Sequence, residues 1–194
     1  MPAWIGRLLR DPGSLAQLDA FFREDADEWD CLPFDVLPQT FGHGSRRAFA
    51  EYFQGASHVG VRNLDDVCTW LRGCECVSDQ ALFFETDYWQ HPVTFEQLRR
   101  GDCEDHALWA WRKLAELKLA PHFVAGRWRG VAHTWVLVDT GQGLSLVETT
   151  EKSGPMVQPL PLVRSLYCPA VAIAADLSTY VFRGFRRFHD SGIS

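Results

Sequence analysis

A change of hydrophobic period at Pro121 constrains the fold of this chain more than any other feature. Upstream, apolar residues recur at helical spacing over 103–118, and Asp102 is a suitable N-cap for that helix. Downstream, apolar and polar residues alternate, which is typical of strands. The predicted strands cover residues 123–128, 133–139, 144–150 and 170–174. Helices followed by a meander of antiparallel strands predict an α+β fold.

The part of the chain before residue 103 is predicted to be mostly helical. Its predicted helices cover residues 14–24, about 45–53, 63–73 and 95–99. Asn63 and Thr94 are the expected N-caps of the last two helices. With 194 residues, the chain is long enough for one domain with its own core. We therefore expect a single domain over 1–194, with a helical part at 1–85, a catalytic core at 86–175 and a tail at 176–194.

The composition restricts the partners and the compartment that we expect. A net charge of -6 argues against a broad nucleic-acid surface. No segment approaches the roughly 18 apolar residues that span a bilayer, so no membrane partner is expected. The first residues, MPAWIGR, lack the pattern of a secretory leader, which favours a cytoplasmic location and leaves leaderless export open. The oligomeric state stays unknown from the sequence.

The chain has six cysteines, and most of them are predicted to be buried, reduced thiols. Disulfide-dense proteins are usually small and secreted, and this chain has neither property. Cys74 and Cys76, with Cys68 nearby, are an alternative metal-binding group. They lack the Cys-x2-Cys spacing and the second ligand pair of a zinc ribbon.

One cysteine stands at the predicted start of a helix, in the run GDCEDHA (101–107). A helix N-terminus carries about half a positive charge, which favours the thiolate form of Cys103. About thirty residues later, in the run AHTW (132–135), His133 opens a predicted strand. A strand end that faces a helix N-terminus can bring an imidazole to a thiol and take its proton. Cys103 is therefore the candidate nucleophile and His133 its candidate base.

A third residue should orient the imidazole, and Asp139 and Glu148 are the candidates. Asp139 lies six positions along the same predicted strand, which places it roughly 20 Å from His133. If the turn at 140–143 closes a two- or four-residue loop, Trp135 opposes Glu148, and Glu148 lies one diagonal from His133 on the same face. A three-residue loop would reverse that face. The even loop makes Glu148 the preferred residue.

The remaining candidates have weaker support. His106 is predicted to be structural, because helical side chains lean toward the N-terminus and Cys103 therefore points away from its own helix. An oxyanion could be stabilised by the backbone N–H of Cys103, with Trp89 and Gln90 as side-chain candidates; loop packing is the alternative role for both. Four other histidines are expected at the surface: His43, His58, His91 and His189. His122, directly after Pro121, is hardly a better catalytic candidate than these.

Four short segments carry a resemblance to a known family. They are YWQHP (88–92), GDCEDHA (101–107), HTWV (133–136) and LVE (146–148). Together they resemble the bacterial transglutaminase-like cysteine proteinases of the wider papain-type superfamily, over about a third of the chain. The resemblance implies a papain-like fold with the nucleophile helix packed against an antiparallel sheet. It also implies a triad of Cys103, His133 and Glu148, although the family usually has Asp at the third position.

These residues lead us to expect a thiol-dependent acyl-transfer enzyme that acts on amide or peptide bonds and has a protein or peptide as substrate. Cysteine peptidase activity is the first expectation. Transglutaminase or deamidase activity is the alternative, because the acyl-enzyme step is the same. A catalytically inactive binding module with this fold belongs to a different class. No metal or organic cofactor is expected, with a metal site at Cys103, Asp105, His106 and His133 as the remaining alternative.

Overall fold

The computed structural model describes residues 47–181. The helix predicted at 14–24, the first residues of the one predicted at 45–53, Cys31 and the tail beyond 181 lie outside the described residues. Within residues 47–181, no helix combines the length and the apolar character that crossing a membrane requires.

Five α-helices are described. They are α1 (Leu64–Arg72), α2 (Asp79–Phe83), α3 (Pro92–Leu98), α4 (Cys103–Glu116) and α5 (Leu160–Val163). The predictions of α1 and α4 are confirmed. The Asn63 side chain accepts a hydrogen bond from Asp66 N–H and so caps α1, and Gly73 follows its last turn.

Two predicted helices differ from the structure. α3 begins at Pro92, three residues before the predicted start, and His91 is its N-cap instead of Thr94. Proline is favoured at the first helical position, and the His91 ring accepts a hydrogen bond from Val93 N–H at 3.2 Å. The helix predicted to end near Phe53 is a 3-10 turn over Phe49–Phe53. α2 and a second 3-10 turn, Arg164–Leu166, were not predicted.

A six-stranded antiparallel sheet forms the other layer. Its strands are β3 (His122–Trp128), β4 (Val131–Asp139), β5 (Leu144–Val147), β6 (Val157–Pro159), β7 (Tyr167–Ala174) and β8 (Thr179–Val181). They lie in the order β6-β5-β4-β3-β7-β8. Two short strands, β1 (Glu75–Cys76) and β2 (Arg100–Gly101), pair in parallel away from this sheet. The predicted α+β fold is confirmed; β6 and β8 were not predicted.

The hairpin between β4 and β5 has the predicted parity. Asp139 pairs with Leu144 and Val136 with Val147, so residues 140–143 form a four-residue loop. Continued past the end of β5, this register sets Glu148 opposite Trp135. Side chains two positions apart on a strand share a face, so Glu148 lies on the face of His133.

Helix α4 packs on the sheet and fixes its own first residue there. Ala107 and Leu114 of α4 share one core with Val136 and Val138 of β4. Trp109 is fully buried in the same helix, and its indole N–H donates to Glu96 of α3 at 3.0 Å. Burial of this apolar face, at about 25 cal/mol per Å², holds the N-terminus of α4 beside β4.

The cysteines partly follow the prediction. Cys68, Cys74, Cys76 and Cys103 are free thiols, of which Cys68 and Cys74 are buried and Cys76 is exposed. Cys168 is disulfide-bonded instead of reduced. Cys168 is therefore not one of the reduced thiols, whereas the other four described cysteines are.

Candidate active site

Cys103 is the first residue of α4 and is half-buried. Asp102 precedes it with extended backbone dihedral angles but makes no side-chain hydrogen bond to the helix. The Cys103 thiol donates to Glu104 Oε2 at 3.1 Å. On the facing strand β4, the buried Thr134 hydroxyl lies close enough to Cys103 to lower the pKa of its thiol. The start of α4 therefore meets β4 one residue from His133.

His133 forms a close pair with Glu148. Its Nε2 lies 2.9 Å from one carboxylate oxygen of Glu148 and 3.2 Å from the other. The two side chains are 9% and 2% exposed. A carboxylate accepts the ring proton on Nε2, which leaves Nδ1 as the nitrogen that can receive a proton.

The Glu148 carboxylate has donors on both oxygens. Its Oε1 accepts from the backbone N–H groups of Thr150 and Glu151 at 2.9 and 3.1 Å. Its Oε2 accepts from the Tyr167 hydroxyl at 2.8 Å. Burial raises the pKa of this carboxyl, but the hydrogen bonds from His133, Thr150 and Tyr167 outweigh burial, so the pKa lies below its ordinary value. Glu148 is thus held as the anion.

Three aromatic rings surround the His133 imidazole. The ring centroids of Trp128, Trp135 and Tyr167 lie 5.6, 6.3 and 6.4 Å from that of His133. Trp128 and Tyr167 are partners across β3 and β7. Packing against these rings restricts the orientations that the imidazole can adopt.

The electrostatics around Cys103 oppose its ionisation. Burial raises the pKa of the thiol well above its ordinary value, and the negative charges of Glu104 and Asp102 raise it further. The nearby Thr134 hydroxyl lowers the pKa of the thiol. The net direction is opposite to the one that the helix N-terminus alone predicts. The difference arises first from burial of the thiol and then from the two acidic residues that flank it.

An acidic cluster, Asp79, Asp102 and Glu104, lies at the start of α4. Each residue offers one carboxylate oxygen, and these three oxygens lie within 4.8 Å of one another. Burial and the neighbouring acids Asp79 and Asp87 raise the pKa of Asp102 to about 6. Burial and Asp102 raise the pKa of Glu104 well above its ordinary value.

Two buried oxygens of this acidic cluster lack a hydrogen-bond donor. Within the described part of the chain, Oδ1 of Asp79 and Oδ1 of Asp102 have no partner. Asp79 is only 2% exposed, and its carboxyl pKa is raised by burial. Buried carboxylate oxygens without donors fit a hard divalent cation, which takes oxygen ligands. The other potential metal groups, at Cys68–Cys76 and around His106, are not among the ligand groupings found within residues 47–181.

Trp89 and Gln90, the side-chain oxyanion candidates, are both buried. The Trp89 indole N–H donates to Asp87 at 2.9 Å. The Gln90 amide donates to the Asp105 carboxylate and to the Arg100 carbonyl oxygen. These bonds favour the alternative of loop packing, and a role of either side chain at an oxyanion stays a prediction.

His106 is fully buried inside α4. Its Nδ1–H donates to the Asp102 carbonyl oxygen at 2.7 Å, and Lys152 donates to its Nε2 at 3.2 Å. Burial and the Lys152 charge lower its pKa to about 4. Both ring nitrogens are engaged, in agreement with the predicted structural role.

Sequence reasoning did not identify Tyr167 or Asp79. Tyr167 reaches Glu148 from β7, a strand whose predicted start at residue 170 lay beyond it. Asp79 lies in a helix that was not predicted, 23 positions before Asp102. The acidic flanks of Cys103 were the one signal that pointed to a carboxylate group here.

No family model and no curated protein matches the chain. Among solved structures, calcium-bound LapG of Legionella pneumophila is similar, with 17% identity, a TM-score of 0.51 and coverage of 78% of this chain and 87% of that one. EGTA-treated LapG has 17% identity, a TM-score of 0.50 and coverage of 77% of this chain and 86% of that one. A third LapG structure has 14% identity, a TM-score of 0.50 and coverage of 86% of this chain and 88% of that one.

These similarities concern the fold. LapG has a transglutaminase-like fold, and the helix-on-antiparallel-sheet arrangement described above is a fold of the same class. The fold expected from the sequence resemblance is therefore confirmed.

Proposed function

We propose that this protein is a thiol-dependent acyl-transfer enzyme, and that it hydrolyses peptide bonds in a protein or peptide substrate. One observation carries the proposal: the buried pair of His133 and Glu148, 2.9 Å apart, lies next to Thr134, the residue of β4 whose hydroxyl lowers the pKa of the Cys103 thiol. A thiol at a helix N-terminus, an imidazole and an anchored carboxylate are the three groups that covalent acyl transfer needs.

In the proposed reaction, His133 Nδ1 takes the proton of the Cys103 thiol. The sulfur then attacks the carbonyl carbon of the substrate and forms a tetrahedral intermediate. This collapses to a thioester as His133 returns the proton to the leaving amine. Water, deprotonated by His133, attacks the thioester, releases the acid and restores the thiol. Glu148 holds the imidazole and balances its positive charge.

The acidic cluster supports a divalent cation as part of this proposal. Asp79, Asp102 and Glu104 would hold the ion with carboxylate oxygens, and Ca²⁺ is the candidate because it prefers such ligands. One LapG structure is calcium-bound. A bound cation supplies positive charge that offsets the carboxylates flanking Cys103. This differs from the expectation from the sequence that no metal is needed.

Alkylation of Cys103 by iodoacetamide tests the catalytic pair. Mass spectrometry would follow the rate between pH 6 and 9, with Ca²⁺ and with chelator, and the exposed Cys76 is an internal reference. We expect His133→Ala to slow alkylation of Cys103 by roughly a hundredfold. His58→Ala, at an exposed position, is the matched control. A Cys103 that reacts no faster than Cys76 and ignores the His133 change would contradict the proposal and favour an inactive binding module.

Product masses separate the candidate activities. An unstructured protein such as casein would be incubated with the enzyme and a primary amine. New chain ends indicate a peptidase, conversion of glutamine to glutamate indicates a deamidase, and incorporation of the amine indicates a transglutaminase. Cys103→Ala should abolish whichever product forms.

Calorimetric titration with Ca²⁺ tests the cation. We expect binding to the wild-type chain, and a rise of its melting temperature by several degrees at saturating Ca²⁺. Asp79→Asn should remove both effects. Asp65→Asn, on the exposed first turn of α1, is the control for loss of one charge. Equal binding by all three proteins would exclude the acidic cluster as the site.

A further inference from the structure

Glu148 lies beyond the paired part of its strand. β5 ends at Val147, and Glu148 N–H donates to the Met156 carbonyl oxygen at 2.7 Å. No ladder partner on β4 therefore fixes the position of its side chain. The carboxylate depends on the donors that surround it, and these come from the following loop, from His133 and from Tyr167.

Tyr167 approaches Glu148 from a different strand. It opens β7 opposite Trp128 of β3 and is 4% exposed. Its hydroxyl lies 2.8 Å from Glu148 Oε2, the same oxygen that lies 2.9 Å from His133 Nε2. The hydroxyl and the imidazole therefore share one acceptor atom, and the hydroxyl is a second side-chain donor that holds that atom in place.

The ring of Tyr167 is held as firmly as its hydroxyl. It packs edge-to-face on Trp135, with centroids 5.2 Å apart, and lies 6.2 Å from Trp128. Burial and the Glu148 charge raise the pKa of the phenol above its ordinary value. Tyr167 stays neutral, and therefore a donor, over the whole pH range in which a thiol enzyme acts.

We propose that Tyr167 is a positioning residue of the active site, which acts through Glu148 to fix the tautomer and orientation of His133. The inference rests on the proposed function. Tyr167 packs in the sheet, and its hydrogen bond to the Glu148 carboxylate gives it a second role, in the active site. A buried hydrogen bond to a charged group is the kind whose loss costs most.

The test is a double-mutant cycle on Cys103 alkylation. Tyr167→Phe keeps the ring and removes the hydroxyl, and we expect it to slow alkylation about tenfold. Glu148→Gln should slow alkylation more, and the double variant should be no slower than Glu148→Gln alone, because the hydroxyl acts through the carboxylate. Tyr52→Phe, which alters a buried tyrosine that packs on Phe49 and His91, is the matched control.

Nitrogen NMR of the His133 ring gives a second readout that packing alone would not change. We expect the wild-type ring as the single tautomer protonated at Nε2, and a mixture of tautomers in Tyr167→Phe. Additive effects in the cycle, or an unchanged tautomer, would overturn the inference. Failure of the proposed function is distinguishable, because Cys103 of the wild-type chain would then be unreactive from the start.

Discussion

The two halves of the candidate site are built on opposite electrostatic principles. The base side (His133, Glu148 and Tyr167) surrounds one carboxylate with donors on both oxygens, and the pKa of Glu148 is lowered. The acidic cluster has two buried oxygens without donors in the described chain, and the pKa of each of its members is raised.

The charge of Glu148 is balanced by groups of the protein itself, whereas the charge of the acidic cluster requires protons or a bound cation. The sheet and the loop after β5 supply hydrogen-bond donors to both oxygens of Glu148, so its negative charge is stabilised in the folded chain. The acidic cluster must take up protons or a cation, because buried carboxylates that face one another cannot all stay ionised.

Of the changes considered, removal of the Glu148 carboxylate should slow alkylation of Cys103 the most. Glu148→Ala leaves Tyr167 and two backbone N–H groups without an acceptor and frees the His133 ring. We expect alkylation of Cys103 by iodoacetamide to slow by roughly a hundredfold. Glu151→Ala, three positions on and exposed, is the control and should react like the wild type. Equal rates for the two variants would show that the base side does not depend on its carboxylate.

The second prediction concerns Gly101, the residue directly before Asp102 of the acidic cluster. A Cβ at this position would lie 2.7 Å from Gln90 Nε2 and would overlap the Asp105 side chain. Gly101→Ala must displace the buried bonds between those two residues, so we expect a loss of about 2 kcal/mol in the free energy of unfolding. Gly154→Ala, where a Cβ meets nothing within 4 Å, should change it by less than about 0.5 kcal/mol. Urea unfolding measures both, and equal stability would mean that Asp105 and Gln90 are not tightly packed.

The same contrast explains which part of the site could be predicted from the sequence. The pair of His133 and Glu148 follows from hairpin parity, because an even loop sets one strand position against another. The acidic cluster does not follow from any local rule, because Asp79 belongs to the five-residue helix α2 far upstream of Cys103. Tyr167 was missed for a similar reason, since β3 lies between β4 and β7 and only tertiary structure brings β7 to Glu148.

The third prediction is that the two halves contribute to the free energy of unfolding with opposite pH dependence. Burial raises the pKa of Asp102 from 3.8 to about 6, so the folded chain holds its proton more tightly than the unfolded chain. The contribution of Asp102 to stability is therefore lost as pH rises from about 4 to about 6. In chelator, the stability of Asp102→Asn relative to the wild type should rise over this range by roughly 2–3 kcal/mol.

Glu148 should behave in the opposite direction. Its pKa is lowered, so its contribution to stability is present at neutral pH and is lost as pH falls below the ordinary value of 4.5. Glu148→Gln should therefore destabilise the chain at pH 7 more than at pH 3. Urea unfolding at several pH values measures both variants. Parallel pH profiles for Asp102→Asn and Glu148→Gln would contradict the electrostatic difference between the two halves.

The smallest effect is expected where the two halves meet. The Thr134 hydroxyl lowers the pKa of the Cys103 thiol, against the burial and the acidic flanks that raise it. Thr134→Val keeps the shape and removes the hydroxyl, so alkylation at pH 7 should slow by less than about fivefold. Thr134→Ser restores a hydroxyl and should react like the wild type. A Thr134→Val variant that reacts faster would mean that the hydroxyl stabilises the neutral thiol. Ionisation of Cys103 would then depend on positive charge from a cation bound at the acidic cluster.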